Sequence, residues 1–433
     1  MLVKSPPAAA NQPIERDFSK STPAPAQTSQ SGPRFLSGLR GGVQGLLYLA
    51  LCLLMLEGIF ALAHVGEAEY LKPDRVTGFT LMPNKVITQR VEGFATLKTN
   101  SFGMQNDPIT VAKPPDVLRI AIFGDSYVES LHVARDKNFL QTLAAQLSEK
   151  LHKRVQVLNF GVSNYSVAQD YLRYRTVAKQ FQPDLVIQVF RVEESDKLLP
   201  QASSYLSLVR PVFFVGPHGE LVYDDTNVKS FLNSSTGKNM VKHQWLRSNS
   251  RLWNIAGQIS QTLQTFKKSL GKPLSTASVA PGAAATQTAP PQATQSQATP
   301  AIAAATQTST NKDRYLSCYW YMMDKQLESF RQECANSGTA FMILRTPMIK
   351  AELDSLRVNA NETNLLNKTA SRIGAPILNL DHLFKLQFGL KNDGTHFLSG
   401  GHFNKTMHRW VGENLAQYVA ANQNTLLKKQ VQK

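Results

Sequence analysis

Arg119-Ile-Ala-Ile-Phe-Gly-Asp-Ser-Tyr-Val-Glu129 is the stretch that decides the fold of this 433-residue chain. Ile120 to Phe123 is an unbroken apolar run closed by a glycine, the pattern of a strand buried on both faces. Gly124-Asp125-Ser126 ends the strand, and Tyr127 onward returns to spacing that suits a helix. A serine at the carboxyl end of a buried strand, just ahead of a helix, stands where open α/β sheets place their ligands. Its own N–H is well set to meet a developing negative charge. Gly-Asp-Ser is also ordinary turn chemistry, so the meaning of Ser126 depends on what surrounds it.

Downstream, Phe139, Leu143, Leu147 and Leu151 recur at helical spacing within Asn138 to Leu151. Val155 to Phe160 reads as a second buried strand, ending in Gly161-Val-Ser-Asn-Tyr-Ser166. A helix over 167–181, the turn Pro183-Asp184 and a third strand, Leu185 to Phe190, follow. Strands and helices alternating at intervals of about 30 residues predict an α/β fold, a parallel β-sheet sandwiched by helices. Pro211 to Val215 and Glu220 to Tyr223 read as a hairpin beside the sheet, and 245–268 as helical. Residues 269–311 are Ala/Thr/Gln/Pro-rich with almost no charge, too poor in apolar bulk to fold, and are expected to be an unstructured insert. A helix from Tyr315 to Asn336 and strands at Phe341 to Arg345 and Pro376 to Leu380 supply what the first half lacks. The insert is therefore expected to interrupt one domain, whose parts are 64–268 and 312–426, before a basic tail at 427–433.

Upstream, residues 1–42 have the composition of a disordered tail. Val43 to Ala63 is an apolar run interrupted by Gln44 and Glu57, and about 20 such residues can span a bilayer. A core helix or a cleaved signal would show a similar run, but a polar leader of this length does not suit a signal. An uncleaved transmembrane helix is expected. Lys4, Arg16, Lys20, Arg34 and Arg40 precede it and Glu67, Glu69 and Asp74 follow, which places the N-terminus in the cytoplasm and the rest outside. Residues 65–118 read as a lead-in with strand pieces.

The charge balance is 47 basic against 31 acidic residues, or +16, but the basic groups are scattered and not striped with aromatics. That excludes nucleic acid as the expected partner and leaves a general affinity for anionic polymers or membrane surface. Of the three cysteines, Cys318 and Cys334 fall on one predicted helix about 24 Å apart, too far for a disulfide. No metal cluster, phosphate loop or dinucleotide fingerprint stands out, so neither metal nor cofactor is expected.

Near the C-terminus, Asn392-Asp-Gly-Thr-His396 and Gly400-Gly-His-Phe-Asn404 precede a last helix with Trp410, Val411, Leu415 and Val419 on one face. Asp393 and His396 are spaced for a carboxylate to orient an imidazole. His402 stands two residues before Asn404, the best candidate for the helix N-cap. A histidine just outside a final helix can serve a serine at the same sheet edge as its base, although a lone loop histidine is more often a surface group. His408, inside the helix, reads as structural.

Gly124-Asp-Ser126 after one strand, Asn159-Phe-Gly161 after the next and His402-Phe-Asn404 before the last helix, in that order, resemble the SGNH (GDSL-type) hydrolases, in particular membrane-anchored bacterial members. Thr99-Asn-Ser-Phe-Gly103 and Arg119-Ile-Ala-Ile-Phe123 resemble the run into that family's first block. The resemblance covers roughly 75–425 apart from the insert, and implies an SGNH/flavodoxin-like three-layer fold. It implies Ser126 as nucleophile and first oxyanion donor, Gly161 as second donor and His402 as base. Two departures stand out. The family's aspartate two or three residues before the histidine is replaced by Ser399 and Gly400, which leaves Asp393 with His396, Asp393 with His402, or His402 alone. The family's third-block asparagine is absent from Phe190-Arg-Val-Glu-Glu-Ser-Asp196, where Glu193 or Glu194 would oppose an oxyanion; Ser195 or Asn164 is the expected substitute.

Two functions follow from the resemblance. One is a serine esterase, or an acyltransferase using the same acyl-enzyme, acting on an O-acylated carbohydrate or other ester outside the cytoplasm. The other is an impaired SGNH-like module that binds polysaccharide or serves as scaffold in an envelope protein complex. Five Asn-X-Ser/Thr sequons, two in the proposed site turns at Asn164 and Asn404, fit a bacterial chain better than a glycosylated one.

Overall fold

The computed structural model describes residues 34–67, 69–191, 205–270, 309–347, 361–389 and 394–427. In it the quoted stretch is an interior strand of a five-stranded parallel sheet. The strands are β1 (Val117–Phe123), β2 (Arg154–Asn159), β3 (Leu185–Phe190), β4 (Ala340–Arg345) and β5 (Ile377–Asn379), in spatial order β5-β4-β3-β1-β2. Read from the other edge this is 2-1-3-4-5, a doubly wound order in which the chain reverses direction between β1 and β3.

Alternation along the strands divides the core in two. Leu118, Ile120 and Ile122 of β1, Leu185, Ile187 and Val189 of β3, and Met342 and Leu344 of β4 face the helices Phe139–Leu151, Leu380–Phe388 and Lys405–Ala421. Ala121 and Phe123, Val186 and Phe190, and Phe341 and Ile343 face the other way, onto Val167–Thr176, Ser309–Asn336 and Asn361–Ile373. With both faces covered, the strands read as continuous apolar runs. The exception in β1 is Arg119, fully buried. Its guanidinium donates to Gln156 Oε1 and to the carbonyls of Thr110, Val111, Ala112 and Phe181 at 2.8–3.2 Å. Five acceptors replace the water that a buried cation loses.

The expected hairpin is present as Val212–Val215 against Leu221–Asp224. The lead-in is more elaborate than expected. It comprises two antiparallel hairpins, Leu71–Asp74 with Gly78–Leu81 and Val86–Gln89 with Ala95–Lys98. Phe79, Leu81, Ile87 and Leu97 from these hairpins pack with Leu131, Val162 and Tyr165, next to the turns after β1 and β2.

The expected unstructured segments fall mostly outside the described residues, in 1–33 and 271–308. Their edges are corrected. The N-terminal helix begins at Arg34 and not Val43, and the helix after the insert begins at Ser309 and not Tyr315. Once a helix is nucleated each added residue gains a hydrogen bond at small cost, so helices run past the apolar stretch that betrays them. The chain divides into a unit ending at Leu62 and a unit beginning at Ala63. The stretch Gly41–Ala63, 23 residues of which all but the last belong to the first unit, is long and apolar enough to cross a membrane. Cys318 is exposed and Cys334 buried on one helix, and both are free thiols.

Candidate active site

β1 ends at Phe123, Gly124 follows, and Asp125 then caps the short helix Ser126–Glu129, its side chain accepting from the Tyr127 N–H at 3.1 Å. This turn lifts Ser126 out of the buried strand to a half-buried position at the carboxyl edge of the sheet. Among the described residues its N–H has no intramolecular acceptor. The second turn is tied to the first by the Val162 N–H donating to the Gly124 carbonyl at 3.1 Å.

His402 reaches Ser126 from 276 residues away, with its Nε2 at 2.8 Å from Oγ. Phe397 pairs with Phe403 in a two-residue bridge, and Leu398 N–H donates to the His402 carbonyl at 2.8 Å, so Ser399 to Gly401 form a tight reversal. Asn404 caps the last helix as its position predicts, accepting from the N–H groups of Thr406 (2.9 Å) and Met407 (3.0 Å). The reversal on one side and the cap on the other leave the His402 backbone little freedom.

The carboxylate partner of His402 is Glu92, which sequence reasoning missed. Glu92 Oε2 lies 2.6 Å from Nδ1, and Oε1 accepts from the backbone N–H of His402 at 3.0 Å. Glu92 sits in the bend of the hairpin Val86–Lys98. The neighbouring glycines make the approach feasible. A Cβ at Gly400 would lie 2.5 Å from Glu92 Oε2, and one at Gly93, whose φ is +72°, would lie 2.4 Å from the His132 carbonyl. Burial works against the charge on Glu92, but the hydrogen bonds and charge of His402, with a smaller contribution from His132, more than offset it. The carboxyl is held below its ordinary range.

Three further side chains hold the imidazole. Tyr127 stacks on it with centroids 4.9 Å apart and donates its hydroxyl to the Gly401 carbonyl at 2.9 Å. Arg191, buried immediately after β3, places its guanidinium carbon 3.5 Å from the centre of the Tyr127 ring. His132 stacks on His402 with centroids 3.8 Å apart and planes 21° apart. Burial and the charge of His402 push His132 down to about 4, against the pull of Glu92, so it is neutral near pH 7. Glu92, His132 and His402 also bring three metal-ligand groups within 4.8 Å of one another. The stacked rings aim their in-plane lone pairs along parallel planes, whereas a tetrahedral ion requires them to converge. With Nδ1 already bonded to the carboxylate, the arrangement fits a proton relay better than a metal centre.

Behind the site, Glu129 is fully buried and accepts from the backbone N–H of Ser163 at 3.0 Å and from its hydroxyl. Desolvation raises it to about 7, although the Ser163 hydrogen bonds pull the other way.

The remaining sequence expectations fare differently. His396 is not brought to Ser126: its ring packs against Phe388 (4.3 Å) and Phe384 (5.3 Å), an aromatic setting that fixes it away from the nucleophile. Asp393 lies outside the described residues, and both His402 N–H positions that an acid could take are bonded to Glu92. Gly161 directs its N–H to Asn159 Oδ1 at 2.9 Å, so an oxyanion there would share or displace that bond. Asn164, at φ +65°, donates its side-chain amide to the Ser207 carbonyl at 2.7 Å, which engages the group expected to serve the oxyanion. Ser195, with Glu193 and Glu194, lies outside the described residues.

No protein-family model and no curated protein matches the chain. Among solved structures it is similar to an acetyl xylan esterase (12% identity, 70% of this chain and 100% of that one, TM-score 0.33). It is likewise similar to an acetyl-xylooligosaccharide esterase from Geobacillus (10%, 73% and 97%, 0.35) and to a lipolytic protein of the G-D-S-L family from Desulfitobacterium hafniense (8%, 69% and 98%, 0.34). Likenesses this distant carry no weight for the chemistry, which has to be read from Ser126, His402 and Glu92 themselves.

Proposed function

We propose that the chain is a serine esterase of the SGNH type, held by one N-terminal membrane helix and acting on O-acyl groups of an extracytoplasmic carbohydrate. The observation that carries this reading is the relay from Ser126 Oγ through His402, 2.8 Å on one side and 2.6 Å to Glu92 on the other. A nucleophile, a base and a group that orients the base are the parts an acyl transfer needs. Oγ attacks the acyl carbon while its proton passes to Nε2. The Nδ1–H stays on the ring, held to Glu92, whose charge stabilises the imidazolium. Nε2 then returns the proton to the departing sugar oxygen and leaves an acyl-serine. Water, deprotonated by Nε2, releases the acid; a sugar hydroxyl in its place would make the same site an acyltransferase. The N–H of Ser126 is the first oxyanion donor, and Gly161 can be the second if it shares its bond to Asn159.

The carbohydrate ester is what the sequence resemblance implies, and the anchor is supported by the length and composition of Gly41–Ala63. The basic residues before that helix and the acidic ones after it favour an N-terminus inside and the Ser126 unit outside. The impaired-module alternative drew support from a missing acid, and Glu92 removes that support. The engaged N–H of Gly161 still favours it.

Labelling of the full chain with a fluorophosphonate, beside hydrolysis of an aryl acetate, tests the reading. Both are expected to vanish in Ser126→Ala and in His402→Ala. A folded protein with neither activity would establish the binding module instead.

A further inference from the structure

The chain leaves its candidate membrane span at Ala63 and is tied almost at once to two helices from much later in the sequence. The Val65 carbonyl accepts from Arg251 Nη1 at 3.1 Å, the Glu67 carbonyl from Asn254 Nδ2 at 3.2 Å, and the Glu69 N–H donates to the Arg247 carbonyl at 3.1 Å. Arg247 also binds the Glu69 carboxylate through Nε at 2.8 Å. Gly66 packs so closely that a Cβ there would lie 2.7 Å from Ile255. Two residues of chain, about 7 Å at full stretch, separate Ala63 from the first of these bonds. The helices Gln244–Asn249 and Arg251–Leu270 are thus bound by covalent reach to the end of the span.

These helices also leave apolar surface uncovered, as do the hairpin bend at Val91 and Phe94 and the helix carrying Leu386. Leu252, Ile255, Ile259 and Leu263 recur at helical spacing along Arg251–Leu270. The first two are half-buried, but Ile259 is 56% and Leu263 55% exposed. Trp245 is 72%, Val241 54% and Trp253 40% exposed, and Lys238 and Lys242 stand exposed on the preceding helix Ser235–Lys242. Uncovered aliphatic residues, two tryptophans and lysines together are the composition of a helix lying in a bilayer interface.

We propose that the Ile259–Leu263 stripe of Arg251–Leu270, flanked by Trp245 and Trp253, is a second membrane contact, which lies in the interfacial layer of the anionic bilayer that the N-terminal helix crosses. The proposal rests on the anchor reading above. An interfacial helix buries its apolar side about 5–10 Å into the headgroup and acyl boundary. It would also add a second place of attachment to the one that the N-terminal helix provides.

The test uses the full chain in nanodiscs of phosphatidylcholine and phosphatidylglycerol, with Cys52 and Cys318 changed to serine and buried Cys334 retained. A polarity-sensitive fluorophore is placed at Ile259→Cys, Leu263→Cys, the exposed reference Gln332→Cys, or Leu54→Cys within the span. The probes at 259 and 263 should be quenched by lipid spin-labelled near the headgroup. They should also be about threefold less accessible to aqueous iodide than the probe at 332. The probe at 54 should respond to deep spin labels. Quenching at 54 with full iodide access at 259 and 263 would overturn the proposal and leave the anchor standing. Protection at 259 and 263 from both quenchers would also overturn it, because protein, another segment of this chain or a second copy, would then cover the face. No lipid quenching at 54 would remove the anchor and the proposal with it.

Discussion

Glu92→Gln changes one atom and should disable the site. Both carboxylate oxygens accept from the same residue, Oε1 from the His402 backbone N–H and Oε2 from Nδ1–H. An amide has only one oxygen, so its NH2 must face one of the two donors. If it faces the backbone, two N–H groups collide inside a pocket where Glu92 is only 12% exposed. If it faces Nδ1, the imidazole shifts its proton to Nε2 and can no longer take one from Ser126. The negative charge that stabilises the imidazolium is lost in both cases. Replacing the acid of a Ser-His-acid triad by its amide lowers kcat about 10⁴-fold, equivalent to about 5 kcal/mol of transition-state stabilisation, and a loss of that order is expected here. The assay is kcat on an aryl acetate, with circular dichroism confirming the fold and the tautomer of His402 read from its ring-nitrogen shifts. A variant within tenfold of the parent would refute the role of Glu92. If Asp393→Asn then fell by the larger factor, the acid would belong there.

Other expectations follow from the surroundings of the relay. Gly400→Ala would set a Cβ 2.5 Å from Glu92 Oε2 and push the carboxylate off Nδ1; kcat should fall about 10²-fold with little change in Tm, since the displaced atom ends a flexible side chain, and unchanged kcat would show the turn has slack. His396→Ala should alter kcat less than about threefold, because its ring packs on Phe384 and Phe388; a hundredfold loss would return it to the catalytic set. A chelator should leave turnover unchanged, whereas loss restored by zinc would make Glu92, His132 and His402 a metal site. Glu129 is raised from 4.5 to about 7, so the folded state keeps a proton that the unfolded state has lost. Its stabilisation is full below pH 4.5 and disappears as pH rises through 7, by about 3 kcal/mol in all. Urea unfolding from pH 5 to 8 should show that decline in the parent and a flatter profile in Glu129→Gln, and equal slopes would count against it.

The sheet was legible because burial writes itself locally. Ile120 to Phe123 are apolar in succession, and Leu185 to Phe190 all but Gln188, since helices cover both faces, and runs this short between turn residues suit a buried strand. The cap at Asn404 was legible for a similar reason: an unsatisfied helix end calls for a side-chain acceptor at one position. The hairpin that carries Glu92 looked like a lead-in because its strands are only four residues long, too short for their alternation to stand out. The likeness to a known family pointed to an aspartate near the histidine in sequence, and the chain supplied Asp393 at a plausible spacing. Glu92, the acid that the structure brings to His402, lay outside that local window because an acid acts through space.

Sequence alone therefore determined which strand ends at Ser126, that helices enclose the sheet, and that a histidine precedes the last helix. Each follows from neighbours within a few residues, whose burial and backbone hydrogen bonding leave a periodic trace. Only the tertiary structure decided that Glu92 meets His402, that His396 belongs to an aromatic cluster, and that His132, Tyr127 and Arg191 surround the relay. Glu92 and His402 are 310 positions apart, and a hydrogen bond of 2.6 Å between them depends on how two separate hairpins pack, which no local pattern records.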